Sequence, residues 1–183
     1  MRIIRGTKRG KRLSPPVNLP VRPTTDIAKE GLFNIIENSW EMDGLRILDL
    51  FSGTGSISFE FASRGAEQIV AVDSNPRCTE WIKKASAEMG LNMIYIIRAD
   101  AFSFVNSPKE KFHIIFADPP YDLEGVENLP AKIFQHELLH KIGWLIIEHS
   151  ANHNFETHPR FLFKRNYGKV NFTFFGWAEN PGD

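Results

Sequence analysis

The chain has 183 residues, of which 42% are hydrophobic and 24% are charged, and its formal net charge is zero. This composition predicts one globular domain and excludes a chain that is disordered throughout. Cys78 is the only cysteine, so no intramolecular disulfide can form, and no apolar run approaches the roughly 20 residues of a membrane-spanning helix. Since the N-terminus also lacks a hydrophobic signal core, we expect a cytoplasmic monomer that does not associate with a membrane.

The net charge of zero hides a basic N-terminal arm. Residues 1–25 hold seven of the 22 basic residues and none of the 22 acidic ones. A basic arm on an acidic body favours a polyanionic partner, because lysines and arginines release counterions from phosphates. Ile3, Ile4 and Leu13 around two glycines predict a short hairpin rather than a mobile, solvated tail. The predicted nucleic-acid contacts are Arg2, Arg5, Lys8, Arg9, Lys11, Arg12 and Arg22.

A proline-rich connector and a helix follow the arm. Prolines at 15, 16, 20 and 23 indicate an extended segment, so we divide the chain into residues 1–23, the arm and connector, and residues 24–183, the main domain. Thr24, Thr25 and Asp26 offer an N-cap and a first-turn carboxylate. Apolar residues then recur at helical spacing, which predicts a helix over residues 25–39.

From Leu45 onward, apolar runs alternate with segments of helical length such as residues 56–65 and 76–90. This alternation predicts an α/β fold whose sheet is mostly parallel and covered on both faces. Residues 160–177 differ, because two apolar runs around Gly168 predict an antiparallel hairpin. The strands before it are predicted at residues 46–51, 68–73, 93–100, 112–118 and 144–149.

The first predicted strand ends in a glycine loop, DLFSGTG. Gly53 and Gly55 allow a sharp turn and a close approach to a ligand. Asp73 lies 20 residues after Gly53, where an acid can accept hydrogen bonds from ribose hydroxyls. This G-x-G alone also fits nicotinamide or flavin nucleotides, but Ser58 replaces the third glycine of that pattern. Asp49 would repel a pyrophosphate and attract an ammonium group, which favours S-adenosylmethionine as the cofactor.

The end of the third predicted strand adds another acid. Asp100 could accept from the adenine exocyclic amine, with the Ala101 amide facing the ring. A single aspartate at a strand end is more often a turn or helix cap, but three aspartates in register with a glycine loop favour ligand binding. The predicted cofactor-binding residues are Asp49, Phe51, Ser52, Gly53, Thr54, Gly55, Asp73, Ser74, Asp100 and Ala101.

The fourth predicted strand ends in DPPY, on the same rim of the sheet. An exocyclic base amine is a poor nucleophile, and it needs acceptors that hold its hydrogens and turn its nitrogen toward a methyl group. The Asp118 carboxylate and the Pro119 carbonyl can be those acceptors. Pro119 and Pro120 fix the backbone, and Tyr121 offers a face on which a flipped base can stack. The sequence therefore predicts a methyltransferase with Asp118, Pro119, Pro120 and Tyr121 at its catalytic centre.

The chain resembles the bacterial 16S rRNA (guanine-N2) methyltransferase family of the RsmD type over nearly its whole length. MRIIRGTKRGKRL is similar to the N-terminal hairpin of that family, RPTTDIAKEGLFNII to its signature helix, DLFSGTG to its cofactor loop and DPPY to its amine-binding motif. The first two motifs single out this family, whereas the last two occur in many amino-methyltransferases. Lys29 stands where arginine is expected, and Tyr121 stands where phenylalanine is common.

This resemblance implies a Rossmann-like class I methyltransferase fold with a seven-stranded, mostly parallel sheet, a C-terminal antiparallel hairpin and a small basic N-terminal β-hairpin. It also implies that S-adenosylmethionine is the cofactor, that residues 118–121 hold the guanine N2, and that 16S rRNA or the small ribosomal subunit is the partner. No metal is expected.

Other functions stay open at this point. HELLH, residues 136–140, matches the zinc-protease motif, although we expect a surface helix with two histidines there. Adenine N6 is another possible target amine. A non-catalytic RNA-binding protein on the same scaffold is a further alternative. Methylation of a protein glutamine would be expected to use asparagine in place of Asp118.

Overall fold

The computed structural model describes residues 1–17, 19, 25–107 and 110–177. Within these residues, helices and strands alternate from α1 to β5, as predicted, and two further strands follow. The helices are α1 (Asp26–Ser39), α2 (Ser56–Arg64), α3 (Pro76–Met89), α4 (Ala101–Val105) and α5 (Leu129–Gln135). The strands are β1 (Arg46–Leu50), β2 (Gln68–Asp73), β3 (Ile94–Arg98), β4 (Phe112–Ala117), β5 (Leu139–His149), β6 (Phe161–Tyr167) and β7 (Val170–Phe175).

The described strands form one sheet of seven in the order β3-β2-β1-β4-β5-β7-β6. Strands β1 to β5 are parallel, whereas β7 runs antiparallel to both β5 and β6. This arrangement confirms the predicted parallel sheet with a C-terminal hairpin. The strand order reverses between β1 and β4, and open α/β sheets bind ligands in the crevice at such a reversal.

Helix α1 begins where the sequence predicts it. The Thr25 side chain accepts a hydrogen bond from the Ala28 N–H at 3.2 Å, which satisfies one of the first backbone donors of the helix. Leu32, Phe33 and Ile36 are fully buried on its inner face. Of the apolar residues whose spacing predicted this helix, Leu32 and Ile36 lie on the packed face, whereas Ile35 is partly buried and Ile27 is 77% exposed.

The two faces of the sheet carry separate apolar clusters, one with α1 to α3 and one with α4 and α5. The edge strand β3 is less well covered, since Tyr95 is 56% and Ile97 is 37% exposed. The prediction that the sheet is covered on both faces is therefore wrong at this edge. The apolar residues of a strand do not reveal whether that strand lies at the edge or in the centre.

The HELLH segment is not a helix. Helix α5 ends at Gln135, Glu137 has a left-handed backbone with φ 51°, and β5 begins at Leu139. His140 lies in the strand and stacks on His113, with 4.2 Å between the ring centroids. Leu138 and Leu139 are buried, and β5 begins at Leu139, so it is longer than the strand predicted at 144–149. The predicted surface helix is wrong, and the histidines do not have the helical spacing of a zinc-protease site.

The N-terminal arm is folded against the domain. Its two halves run antiparallel, with a bridge between Arg2 and Arg12 and a hydrogen bond from the Ile3 N–H to the Lys11 carbonyl at 3.0 Å. Ile3 is only 2% exposed and belongs to the core cluster. The predicted hairpin is thus supported, and a mobile tail is not what the structure shows.

Helix α2 holds the arm through a buried carboxylate. Glu60 is fully buried and accepts hydrogen bonds from the backbone N–H groups of Ile4 at 2.9 Å and Arg5 at 3.0 Å. The ammonium group of Lys29 lies 3.5 Å from Glu60 and donates to the Arg2 carbonyl at 2.7 Å. Burial lowers the pKa of Lys29, although the Glu60 carboxylate opposes this effect. The arm and α2 therefore form one hydrogen-bonded unit.

Within the part of the chain that the structure describes, no helix has the length and apolarity to cross a membrane.

Candidate active site

A cavity of about 790 Å³ opens at the carboxyl ends of β1 to β5. Nearly all of the residues predicted to bind the cofactor or the target amine line it, although Gly55 does not. They are Asp49, Phe51, Ser52, Gly53, Thr54, Asp73, Ser74, Asp100, Ala101, Asp118, Pro119, Pro120 and Tyr121. The strand ends therefore bring together residues that are up to 72 positions apart in the sequence.

The glycine loop between β1 and α2 takes a left-handed path. Phe51, Gly53 and Gly55 have φ values of 61°, 53° and 75°. For Phe51 this conformation costs on the order of 1–3 kcal/mol, and such strain is typical of ligand-binding loops. A Cβ atom on Gly55 would lie 2.9 Å from Ile82, so this glycine serves the turn and the packing of α2 on α3. Trp81 on α3 fixes the loop by donating to the Thr54 carbonyl at 3.0 Å.

Asp49 lies at the base of the cavity and is only 1% exposed. Its carboxylate accepts hydrogen bonds from the backbone N–H of Ser58 at 3.1 Å and from the Ser58 hydroxyl at 2.5 Å. Burial nevertheless raises the pKa of Asp49 to about 7, with a smaller contribution from the charge of Asp73. A cationic ligand group placed here would favour the ionised carboxylate and so would be attracted to it.

Asp73 and Asp100 lie at the next two strand ends. Asp73 accepts from the N–H groups of Gly53 at 2.7 Å and Asn75 at 2.8 Å, using one carboxylate oxygen for each. Each oxygen has a second lone pair, so Asp73 can also receive ribose hydroxyls. Asp100 caps α4 by accepting from the Ser103 N–H at 2.8 Å, and it lines the cavity at the same time. Helix capping and ligand binding are therefore compatible here.

Asp118 is the first residue after β4, and its N–H donates to the Leu50 carbonyl at 3.4 Å. This bond ties the start of DPPY to the end of β1. Burial raises the pKa of Asp118 well above its usual range, and the charges of Glu148 and Asp49 raise it further. Tyr121 is 38% exposed at the cavity mouth, where a planar base can reach its ring.

Glu148 was not predicted from the sequence. It lies near the end of β5, is only 3% exposed and lines the same cavity. The signal was present in WLIIEH, because an acid that interrupts a buried apolar strand resembles Asp49 in DLF. Glu148 lies beside Asp118 in space, and this neighbourhood depends on the register of β5 against β4, which the sequence alone does not give.

The described residues that line the cavity include six carboxylates but no lysine, arginine or histidine. The carboxylates are Asp49, Asp73, Asp100, Asp118, Asp122 and Glu148. Such a lining disfavours phosphate groups and suits amines, hydroxyls and cations. S-adenosylmethionine has an ammonium group, a sulfonium and a ribose but no phosphate, so the residues present fit this cofactor.

The predicted nucleic-acid contacts divide into two groups. Arg2 pairs with Asp26 at 2.8 Å, and Arg5 pairs with Glu37 at 2.6 Å, so both lie against acids of α1. Lys8 is partly buried, whereas Arg9, Lys11 and Arg12 are exposed on the arm. Arg22 and the capping candidate Thr24 lie outside the described residues. Arg2 and Arg5 are exposed as well, but each already pairs with an acid, so Arg9, Lys11 and Arg12 are the part of the arm best placed to meet a phosphate backbone.

Comparison with known proteins gives the family. The family model described as conserved hypothetical protein 95 matches residues 1–176. The chain is 33% identical over 153 residues to YlbH of Bacillus subtilis, provisionally named an rRNA methyltransferase, a match that covers 81% of this chain and 82% of that protein. It is 28% identical over 149 residues to ribosomal RNA small subunit methyltransferase D of Buchnera aphidicola, covering 81% and 75% of the two chains.

A solved structure shares the fold. The RNA methyltransferase from Salinibacter ruber, in complex with S-adenosyl-L-homocysteine, superposes with a TM-score of 0.68 over 88% of this chain and 98% of its own, at 16% identity. The fold is thus that of the S-adenosylmethionine-dependent methyltransferases, and the chain belongs to the conserved hypothetical protein 95 family, the family of ribosomal RNA small subunit methyltransferase D.

Proposed function

We propose that this protein transfers a methyl group from S-adenosylmethionine to the exocyclic N2 of a guanine in small-subunit (16S) rRNA. The observation that carries this proposal is the cavity at the sheet rim, which combines a glycine loop, acids at successive strand ends and DPPY at its mouth. The names of the two relatives support an rRNA substrate. Guanine as the target base comes from the resemblance of the motifs to the family.

The cofactor would be held by acids on three strands. Asp49 would attract the ammonium group, Asp73 would accept from the ribose hydroxyls, and Asp100 would accept from the adenine amine while the Ala101 amide faces the ring. S-adenosylmethionine, when bound, supplies an electrophilic methyl group on its sulfonium. Because Trp81 and Ser58 already fix the glycine loop and Asp49, these groups are in place before the ligand arrives.

The target amine would be held at the other side of the cavity. The Asp118 carboxylate and the Pro119 carbonyl accept the N2 hydrogens and turn the nitrogen lone pair toward the methyl donor. Tyr121 stacks on the base, which must leave its helix or come from a single-stranded loop. After transfer N2 must lose a proton, and the raised pKa of Asp118 suits it to accept this proton.

The arm would supply affinity for the RNA backbone rather than chemistry. Arg9, Lys11 and Arg12 can reach phosphates, which position a nucleic acid without reading its sequence. The cavity itself is acidic, so phosphate contacts are expected outside it and base contacts inside it.

The cofactor assignment is tested by calorimetry. S-adenosylhomocysteine should bind the purified protein more tightly than nicotinamide nucleotides do, because Asp49 lies ahead of the glycine loop. Tight binding of a dinucleotide together with no binding of S-adenosylhomocysteine would refute the assignment.

The substrate assignment is tested by mapping methylated nucleotides in rRNA. A strain that lacks the gene should lose one N2-methylguanine from its small-subunit rRNA, and the wild-type gene should restore it. A gene carrying Asp118→Ala should fail to do so. Loss of an N6-methyladenine instead would favour the adenine alternative, and an unchanged modification pattern would contradict an rRNA substrate.

A further inference from the structure

We propose that Glu148 makes the site selective for guanine by accepting a hydrogen bond from the base N1–H while Asp118 holds the neighbouring N2 amine. This inference rests on the proposed function and assigns a role to a residue that the motifs do not include. It explains why a second acid is buried beside the amine site.

The backbone places Glu148 next to Asp118. Strands β4 and β5 are parallel and in register, with Ala117 opposite Ile147, so the following residues on the two strands are Asp118 and Glu148. Both side chains line the cavity. On the other side of β5, Glu148 is paired with Phe172 of β7, which holds its backbone inside the sheet. A carboxylate on so rigid an element is well suited to a specificity role.

Register also shows that these acids share one face of the sheet. Asp49 is opposite Phe116 on β4, and Phe116 is opposite Ile146 on β5. Because side chains two positions apart on a strand point to the same side, Glu148 lies on the face of Ile146 and Asp49. The cavity on that face contains Asp49 at the cofactor end, with Asp118 and Glu148 together at the DPPY end.

Two adjacent acceptors match guanine and not adenine. On its Watson–Crick edge, guanine presents N1–H next to the N2 amine, so two neighbouring groups donate. Adenine presents its amine next to N1, which is an acceptor and would face the oxygens of Glu148. A buried acceptor placed against another acceptor is penalised strongly, and selectivity arises from that mismatch.

Three RNAs that differ in the target base separate these contacts. The fragments carry guanine, 2-aminopurine or inosine at the mapped position. 2-Aminopurine keeps the amine but has an acceptor at N1, whereas inosine keeps N1–H and lacks the amine. Equilibrium affinity is measured with S-adenosylhomocysteine bound, directly for the 2-aminopurine RNA by its fluorescence and by competition for the others. Methyl transfer to the guanine RNA is measured separately.

The wild-type protein should bind the guanine RNA roughly 10- to 100-fold more tightly than the 2-aminopurine RNA. Glu148→Gln should lower the affinity for the guanine and inosine RNAs and leave the affinity for the 2-aminopurine RNA unchanged. The preference for guanine over 2-aminopurine should then fall to within about threefold, because an amide can either donate or accept. Glu124→Gln, which changes an exposed acid in the loop after DPPY, is the matched control and should leave all three affinities unchanged.

The contrary results are read in a Glu148→Gln protein that still binds S-adenosylhomocysteine. They are an equal loss of affinity for all three RNAs, or an unchanged preference for the guanine RNA. Either outcome would overturn the role of Glu148. Failure of the proposed function looks different, because the wild-type protein would then transfer no methyl group to the guanine RNA.

Discussion

The molecule buries carboxylates in two places, and their surroundings differ. Glu60 of α2 is fully buried beneath the arm. Its carboxylate accepts hydrogen bonds from two backbone N–H groups of the arm and lies 2.8 Å from the guanidinium of Arg64 and 3.5 Å from the ammonium of Lys29. At the sheet rim, Asp49, Asp118 and Glu148 share a cavity whose described lining contains no basic side chain. The first group is neutralised within the chain and stabilises the fold. The second lies in an acidic cavity, where Ser58 donates two hydrogen bonds to Asp49, and we expect cationic ligand groups to be attracted there.

The pKa shifts agree with this difference. Burial raises the pKa of both Asp49 and Asp118. A carboxyl whose pKa is raised on folding contributes stability below its unfolded pKa and loses that contribution as the pH rises through its folded pKa. For Asp49 this window runs from the ordinary value of 3.8 to about 7. Ionising Asp49 and Asp118 is therefore costly to the folded protein as the pH rises, and we expect a cationic ligand group to reduce this cost.

The largest effect on stability is expected at Glu60. Glu60→Ala removes the acceptor of two arm amides and leaves Lys29 buried beside no carboxylate. The free energy of unfolding should fall by about 3–5 kcal/mol, as is typical when one partner of a buried ion pair is lost. Urea unfolding measures this change. A loss under about 1 kcal/mol, the range of an exposed pair, would show that Glu60 does not hold the arm.

The largest effect on catalysis is expected at Asp118. Asp118→Ala removes a charged acceptor of the target amine, so methyl transfer should slow on the order of a hundredfold or more. S-adenosylhomocysteine affinity should stay nearly intact, because the residue serves the amine. Single-turnover methylation and calorimetry measure the two effects, and near-normal turnover would contradict the assignment.

A third test uses one substitution that should raise stability and lower ligand affinity. Asp49→Asn removes a carboxylate that is costly to ionise, so the empty protein should be more stable at pH 8 than the wild type and should gain less from acidification. The melting temperature should rise by roughly 2–4 °C per kcal/mol gained. Affinity for S-adenosylhomocysteine should fall. Thermal melts with and without the ligand measure both effects. A variant that is less stable than the wild type at pH 8 would contradict the account.

The pH dependence of the reaction tests the rim acids together. Asp118 must be ionised to accept the amine hydrogens, so the rate should fall about tenfold per pH unit below its raised pKa. Glu148→Gln removes a neighbouring negative charge and should move the midpoint to lower pH. A pH-rate profile with an unmoved midpoint would show that Glu148 does not influence Asp118.

The sequence predicted the fold well because strand and helix periods are local. Continuous apolar runs, Thr25 at a helix start and Gly168 at a turn each follow from nearby residues. Asp49, Asp73, Asp100 and Asp118 were also predicted, since they lie at or near the carboxyl ends of strands that share one edge of the sheet. Glu148 was missed and HELLH was misassigned for one reason. Both depend on how β5 lies against β4, which is a long-range contact.

The arm shows the same limit. Its hairpin was predicted from Ile3, Leu13 and their glycines, but its docking was not, because the residues around Glu60 in the sequence do not indicate that this acid is buried. Truncating residues 1–13 would therefore remove Ile3 and Leu13 from the core and expose Glu60. Exposed side chains must be changed individually to test RNA binding.

The smallest effect is expected from those side chains. Lys11→Ala with Arg12→Ala should weaken RNA binding and reduce the log–log salt slope by up to about 0.9 for each lost duplex phosphate contact. Lys83→Ala with Lys84→Ala removes the same charge from α3 and should leave the slope unchanged. Equal slopes for the two variants would exclude the arm as the RNA contact and direct attention to Arg160, Lys164, Arg165 and Lys169.

The most direct test of the central claim is the identity of the methylated nucleoside. The purified protein is incubated with methyl-labelled S-adenosylmethionine and small-subunit rRNA from a strain that lacks the gene, and the digested RNA is analysed. The account predicts label in N2-methylguanosine, and no label with the Asp118→Ala protein. Label in N6-methyladenosine, or none in RNA from any form of the small subunit, would contradict it.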